Sequence, residues 1–327
     1  MTGHPTTTAT GAGADLNLLV RSTVWEAEGV LSVWLEHPDG APLPTWSPGA
    51  HIEVTVGAGL KRQYSLCGDP SDRARWRIAV LREPKSRGGS EWIHSRLRPG
   101  DRLPARGPKN HFELVDAEDY RLVAGGIGIT PLLPMVRAIA DRQRPWKLHY
   151  LGRRRCTMAF VRELEAYPEH VTILPTDELG VVDVQSFVAT AGPNTAVYCC
   201  GPDGLIRAVE VACKTLPPGA LHVERFAAAT PGEARGAQDR SFEVVLQRSR
   251  LTLRVAPDQS ILDAIEAAGV QVPCSCCEGF CGTCETKVLE GEPDHRDSLL
   301  TPEERAKGGT MMVCVSRARS ARLVLDL

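Results

Sequence analysis

No apolar run in this 327-residue chain approaches the about 18 residues of a membrane-spanning helix. A helical passage through a bilayer is therefore not expected. The first fourteen residues are rich in Thr, Gly and Ala and lack both a basic stretch and an apolar stretch, so they read as a disordered tail and not a secretory signal. Charge of one sign is not in excess. The net charge of −2 removes the general signature of nucleic-acid or membrane-surface binding. No acid–base triad stands out, and His51, His94, His111 and His149 read as core or surface histidines. With 43% hydrophobic and 24% charged residues, the composition is that of an ordinary soluble protein. The length suggests two or three domains.

What the chain does have is cysteine, eleven in all, with five crowded between Cys274 and Cys284. From Cys276 the spacing is C-x4-C-x2-C, through Cys281 and Cys284, with a lone later Cys314. That is the plant-type spacing for a 2Fe–2S cluster. Gly279 and Gly282 lie inside the loop, where a backbone wrapping a cluster needs residues that accept positive φ. Zinc would favour two CxxC knuckles, and a disulfide framework would favour a small secreted domain. The chosen ligands are Cys276, Cys281, Cys284 and Cys314. Cys274 and Cys277 fit the register worse and read as packing or loop residues. Thiolate ligands must stay reduced, which points to the cytoplasm.

Residues 15–116 carry mostly β signals. Leu16–Val20, Val30–Leu35, His51–Val56 and Arg75–Val80 read as strands separated by Pro and Gly, the pattern of an antiparallel barrel. Within it, Arg62 can hold a phosphate, Tyr64 can offer an aromatic face to a flavin ring, and Ser65 can hydrogen-bond the ring edge. Gly88-Gly89-Ser90 opens a helical stretch, which makes an anion site from free amides; alternatively Ser90 is a plain N-cap. Pro99-Gly100-Asp101 and Gly107-Pro108 read as turns near the barrel's end.

Residues 117–226 alternate strand and helix, the pattern of a doubly wound parallel sheet. Tyr120–Ala124 runs into Gly125-Gly126-Ile127-Gly128-Ile129-Thr130-Pro131 and then a helix, an arrangement that sets a pyrophosphate on a helix N-terminus. The third glycine of the dinucleotide fingerprint is missing. Met158–Glu165 reads as helical, and Ala196–Cys200 as a strand ending in Gly201-Pro202. The acidic residue expected about 20 positions past the glycines is absent. Arg153 and Arg154 stand in that region and can hold a 2′-phosphate, or else form a solvated basic turn. Residues 227–239 read as a linker, and 240–327 hold the cysteine motif.

Taken in order, Arg62–Ser65, Gly88–Ser90, Ala124–Pro131, Cys200–Pro202, Glu224–Phe226 and the cysteine motif resemble the phthalate dioxygenase reductase family. Leu289–Asp297 and Cys314–Arg317 look like the same group. The resemblance covers residues 17–327. It implies a multidomain chain: an antiparallel β-barrel flavin domain, an α/β doubly wound nucleotide domain and a C-terminal α+β plant-type ferredoxin (β-grasp) domain. It implies FMN, with Arg62, Tyr64 and Ser65 at the flavin and Gly89 and Ser90 near its phosphate. It also implies that Gly126, Gly128, Thr130 and Pro131 meet NADH, with Cys200 near the nicotinamide and Phe226 stacked on the flavin. NADPH stays open because of the arginines. A monomer is implied.

The expected activity follows from the electron arithmetic. A nicotinamide delivers two electrons as hydride, a flavin accepts the pair and releases them singly, and a 2Fe–2S cluster takes one at a time. The chain is then expected to be the reductase component of a multicomponent oxygenase, serving a Rieske-type partner in aromatic hydroxylation or O-demethylation. A haem-thiolate (cytochrome P-450 type) partner, a free-standing flavin reductase and a redox-inert zinc-stapled module are the alternatives. Glu278, Glu285, Glu290, Glu292, Asp294 and Asp297 are expected on the face that docks the partner.

Overall fold

The computed structural model describes residues 14–57, 59–83, 88–226, 239–274, 277, 279 and 282–327. The expected tail and linker fall outside it except for Ala14 and Asp239. Three main sheets follow one another along the chain.

The first contains β1 (Ala14–Ala27), β2 (Val30–Glu36), β3 (Ala50–Val56), β4 (Leu60–Ser65), β5 (Arg75–Leu81) and β6 (Arg102–Asn110). All its pairings are antiparallel, in the order β4-β3-β6-β1-β2-β5. Just past β4, Leu66 bridges to Ile78 of β5. That joins the two edge strands and closes the barrel. β3 shows why the strands face as they do: Ile52, Val54 and Val56 are buried while Glu53 and Thr55 are half-exposed, the two-residue period of a strand with one face in a core. Helix α1 (Gly89–Arg96) packs beside β3, β4 and β5.

Two expectations about the barrel change. β1 runs on to Ala27, well past Val20, with register shifts after Val20 and Trp25. Gly107-Pro108 is not a turn but part of β6. Gly107 has φ 137, and the β3–β6 register shifts between His51 and Glu53. A bulge of this kind lets a strand bend without ending.

The second sheet is β7 (Asp119–Gly125), β8 (Trp146–Gly152), β9 (Val171–Pro175), β10 (Thr195–Cys200) and β11 (Leu221–Glu224), all parallel, ordered β11-β10-β7-β8-β9. Its helices are α2 (Ile129–Asp141), α3 (Val161–Leu164), α4 (Thr176–Leu179), α5 (Val184–Val188) and α6 (Asp203–Ala212). Leu122 and Ala124 of β7 pack toward Leu132 and Val136 of α2. Val123 packs on the other face, with Phe187 of α5 and Ile206 of α6. Both faces are covered, so these strands are apolar nearly throughout. The helix expected over Met158–Glu165 is only α3, because Phe160 adopts φ 62 between it and a single 3₁₀ turn at Arg155–Thr157.

The third sheet joins β12 (Phe242–Leu246), β13 (Leu251–Val255), β14 (Glu285–Glu290), β16 (Thr310–Met312) and β18 (Arg322–Leu325), ordered β13-β12-β18-β14-β16, with β15 (Pro293–Asp294) and β17 (Arg317–Ala318) paired apart. β12 and β18 are parallel and the other pairs antiparallel. Helix α7 (Ile261–Ala267) buries Ile261 and Ile265 in the core of this sheet and starts at a reciprocal Ser260–Asp263 cap. Helix α8 (Pro302–Lys307) precedes β16. The mixed sheet with one helix in its core is the β-grasp arrangement. Among the described residues no helix is long and apolar enough to cross a membrane.

The barrel and the parallel sheet are fastened by Arg77 of β5. Its side chain is 7% exposed; Nη1 donates to Glu163 Oε1 and Nη2 to Glu26 Oε1, both at 2.7 Å. Its guanidinium lies 4.4 Å from the Phe160 ring centroid, and Arg137 of α2 donates to the other oxygen of Glu163.

Candidate functional site

β4 and the start of α1 form the first part of the site. Arg62 and Tyr64 share one face of β4 by strand alternation. Burial pushes the Tyr64 hydroxyl up to about 12, against the pull of Arg62. The Arg62 side chain lies across Gly89, where an added Cβ would sit 2.6 Å from Nε and 2.7 Å from Cγ. A larger residue at 89 would displace the Arg62 side chain from this helix start. Gly88, at φ 92, is the N-cap, and Ser90 Oγ accepts from Glu83 N at 3.2 Å. Ser90 is thus not the cap. A guanidinium over a helix N-terminus is a cradle for a phosphate.

Ser65 closes β4. It is 5% exposed, and its Oγ has no hydrogen-bond partner among the described residues. Across the seam between the two sheets stand Cys200 and Glu224, opposite each other in the β10–β11 register. Cys200 is fully buried, and burial first, then the Glu224 charge, lift its thiol well above the usual range. Glu224 is partly exposed as a residue, yet its Oε2 is shut off from solvent and has no hydrogen-bond partner among the described residues. Burial raises its carboxyl to about 8. Glu224 therefore carries a proton at neutral pH. In the sequence Glu224 is one letter of the Glu224–Phe226 string; a lone acid ending a strand of a buried sheet is the signal that marks it. Phe226 follows, 39% exposed. A flavin fits these residues: a phosphate cradle, an aromatic face, and polar atoms left orphaned at the seam.

At the carboxyl edge of the parallel sheet, the loops after β7 and β10 meet backbone to backbone. A Cβ on Gly128 would stand 2.2 Å from Cys200 O, and one on Gly201 would stand 2.9 Å from Gly125 Cα. Gly126, by contrast, has φ 54 and open space at its Cβ position. Thr130 is buried and donates to Ile127 O at 2.9 Å, and Pro131 is buried in the first turn of α2. The open glycine before a helix start is where a pyrophosphate can approach. The arginines after β8 are partly spoken for. Arg154 pairs with Glu28 of the barrel at 2.8 Å, Arg155 with Glu165 at 2.9 Å, and the Arg153 carbonyl accepts from Asp177 N at 3.0 Å.

Of the chosen cluster ligands, Cys276 and Cys281 lie outside the described residues. Cys284 and Cys314 are buried with their sulfurs 3.1 Å apart. Cys274 and Cys277 lie 2.8 Å apart, and Cys274 also reaches Cys284 and Cys314. Gly279 and Gly282 have φ 73 and 71; a Cβ on Gly279 would stand 2.4 Å from Val315 Cγ2. Converging soft thiols in a glycine-turned loop suit an iron–sulfur cluster. One member of the expected docking face does not belong there: Asp297 is buried and accepts from the Leu299 and Leu300 amides at 3.1 and 2.8 Å. Glu285, Glu290 and Glu292 are exposed, and Asp294 pairs with Arg296 at 2.8 Å. Glu278 lies outside the described residues.

A flavin barrel, a pyridine-nucleotide sheet and a ferredoxin in one chain define a class of electron-transfer oxidoreductase. The 2Fe-2S iron-sulfur cluster binding domain family matches residues 244–319. The chain is 42% identical over 316 residues to phenoxybenzoate dioxygenase subunit beta of Ectopseudomonas oleovorans, covering 96% of this chain and 98% of that one. Among solved structures, phthalate dioxygenase reductase, described as a modular structure for electron transfer from pyridine nucleotides to [2Fe-2S], is 39% identical with a TM-score of 0.71, covering 96% and 98%. An intact type IV self-sufficient cytochrome P450 monooxygenase is 44% identical with a TM-score of 0.90, covering 96% of this chain and 41% of the longer one. The chain belongs to the phthalate dioxygenase reductase family. It is an oxidoreductase that takes electrons from a pyridine nucleotide through a flavin to a 2Fe–2S cluster. The cofactor set of the family is FMN and the cluster, with NADH as donor.

Proposed function

We propose that this chain is the reductase component of a multicomponent oxygenase, with FMN at the barrel (15–116), NADH on the parallel sheet (117–226) and the cluster in the ferredoxin part (240–327). When bound, FMN supplies the step from paired to single electrons. Arg62 and the amides of Gly88–Ser90 hold its phosphate, and Tyr64 lies beside the ring system. The Ser65 hydroxyl and the protonated Glu224 carboxyl present polar hydrogens to the ring edge. Phe226 covers the ring until the nicotinamide arrives beside Cys200. Gly126, Gly128, Thr130 and Pro131 receive the nucleotide's pyrophosphate, while Arg153 and Arg154 lie where its adenosine ribose ends. Cys276, Cys281, Cys284 and Cys314 ligate the cluster. Reduced thiolates suit the cytoplasm.

The observation that carries this reading is the meeting of two parts of the chain: Thr283, next to Cys284, is hydrogen-bonded to Gln63, next to Tyr64. The terminal acceptor is a Rieske-type oxygenase acting on an aromatic compound, a reading supported by the dioxygenase relative. A haem-thiolate acceptor is the second reading, favoured by the closer superposition on the self-sufficient monooxygenase. Reconstitution with a purified Rieske oxygenase and, separately, with a P450 haem domain decides between them: NADH consumption coupled to product in only the second mixture would reject the first reading. In either case Cys284→Ser should preserve ferricyanide reduction by the flavin and abolish cytochrome c reduction. Survival of both would show that electrons do not leave through the cluster.

A further inference from the structure

Electron delivery on the proposed reading requires the ferredoxin part to sit against the barrel in one orientation. Among the described residues, two side chains of the barrel meet the cluster loop. Gln63 of β4, flanked by Arg62 and Tyr64, donates from Nε2 to Thr283 Oγ1 at 3.2 Å. His111, directly after β6, faces Gly282, where an added Cβ would stand 3.1 Å from Nε2 and 3.3 Å from Cε1. Any larger residue at 282 would push the imidazole away.

The His111 ring is backed by His51, with centroids 5.8 Å apart and planes tilted by 33°. His51 is buried on β3 directly across from Ser65 on β4. A line of contacts thus runs from the flavin end of β4, through His51 and His111, to the loop that ends in Cys284. The groups facing this line are Lys109 and Glu113 from the barrel and Glu285 from β14. Burial, then the neighbouring His111 and Lys109, bring His51 down to about 3. Burial and Lys109 also lower His111, against Glu285. Both rings are therefore neutral at physiological pH, and the Gln63–Thr283 bond is neutral as well. Contacts without charge neither steer at long range nor weaken with salt. They fix orientation by shape and by the directional Gln63–Thr283 bond.

We propose that Gln63 and His111 are positioning residues for electron transfer, seating the Gly282–Cys284 segment on the strand that carries Tyr64 and Ser65. This rests on the reductase reading, but it can fail separately. The test uses the full chain loaded with FMN and cluster, as Gln63→Leu, His111→Ala and the double variant. Thr283→Ser keeps a hydroxyl as the conservative control. Three readouts are taken: NADH-dependent ferricyanide reduction from the flavin, cytochrome c reduction through the cluster, and hydrogen–deuterium exchange of residues 282–287 in the resting protein.

The double variant should hold its ferricyanide rate and cluster absorption, lose cytochrome c reduction by about tenfold, as expected when reacting partners lose alignment, and exchange faster over 282–287. Thr283→Ser should match the wild type. An unchanged ratio of the two activities together with unchanged exchange would overturn the proposal. Should the wild-type protein reduce its flavin but never cytochrome c, the reductase reading fails, and the exchange result alone decides the seat. A double variant that loses flavin or cluster is replaced by Thr283→Val, and wild-type exchange there counts against the seat.

Discussion

The barrel meets its two neighbours through opposite kinds of chemistry. Toward the nucleotide sheet it presents Arg77, buried and bonded to Glu26 and Glu163. Toward the ferredoxin part it presents Gln63 and His111, both neutral in their contacts. A buried guanidinium bonded to two carboxylates gives one geometry and is costly to break. A neutral hydrogen bond contributes only about 1 kcal/mol and can let go. The difference matches the two transfers. Hydride transfer needs reacting atoms in contact and tolerates little misplacement, so the flavin and nicotinamide parts are locked together. The single-electron step needs proximity without bond formation, so a light seat suffices there.

The sharpest way to break this comparison is Arg77→Ala. It takes the guanidinium from Glu26 and from one oxygen of Glu163, whose other oxygen keeps Arg137, so the cost should lie at the lower end of the about 3–5 kcal/mol for breaking a buried pair. The cooperative melt should fall and the flavin should be held less firmly, while the iron–sulfur absorption of the folded fraction stays. A melt within a degree of wild type would mean that the charge network does not fasten the parts. Gln63→Leu, on the other side, should shift the melt little, since a partly buried neutral bond is worth about 1 kcal/mol.

A second, smaller test concerns the seam itself. Glu224 rises from 4.5 to about 8 in the folded chain. Between these values the unfolded chain has released the proton that the folded chain retains. The Glu224 contribution to the stability of the flavin-free protein should then fall as pH rises through this window and level off above it, with a slope of at most about 1.4 kcal/mol per pH unit, set against the opposite slope of the lowered His51 below 6.5. Glu224→Gln should remove that slope, as read from denaturant melts at successive pH values. A variant as pH-sensitive as the wild type would place the titration elsewhere.

What was legible in the chain was local. The C-x4-C-x2-C spacing, Gly88–Ser90 before a helix and the glycine turn at 125–128 each state their chemistry within a dozen residues. The strand–helix alternation gave the parallel sheet for the same reason. What was not legible depended on tertiary neighbours. β6 hid behind Gly107-Pro108 because a bulge and a turn use the same residues. Asp297 looked like surface charge, yet it is an internal acceptor for two amides. Glu224 and Arg77 owe their roles to burial between sheets, which no short window of sequence reports. The pairing of Arg154 with Glu28 likewise joins parts of the chain far apart in sequence.

The most direct test of electron flow from nucleotide to barrel to ferredoxin is an anaerobic absorption titration of the purified protein with NADH, with NADPH in a parallel cell. The flavin and iron–sulfur bands should bleach together as NADH, the family's donor, is added, and should do so less readily with NADPH. Bleaching of the flavin alone, with the iron–sulfur band unchanged at excess NADH, would contradict it.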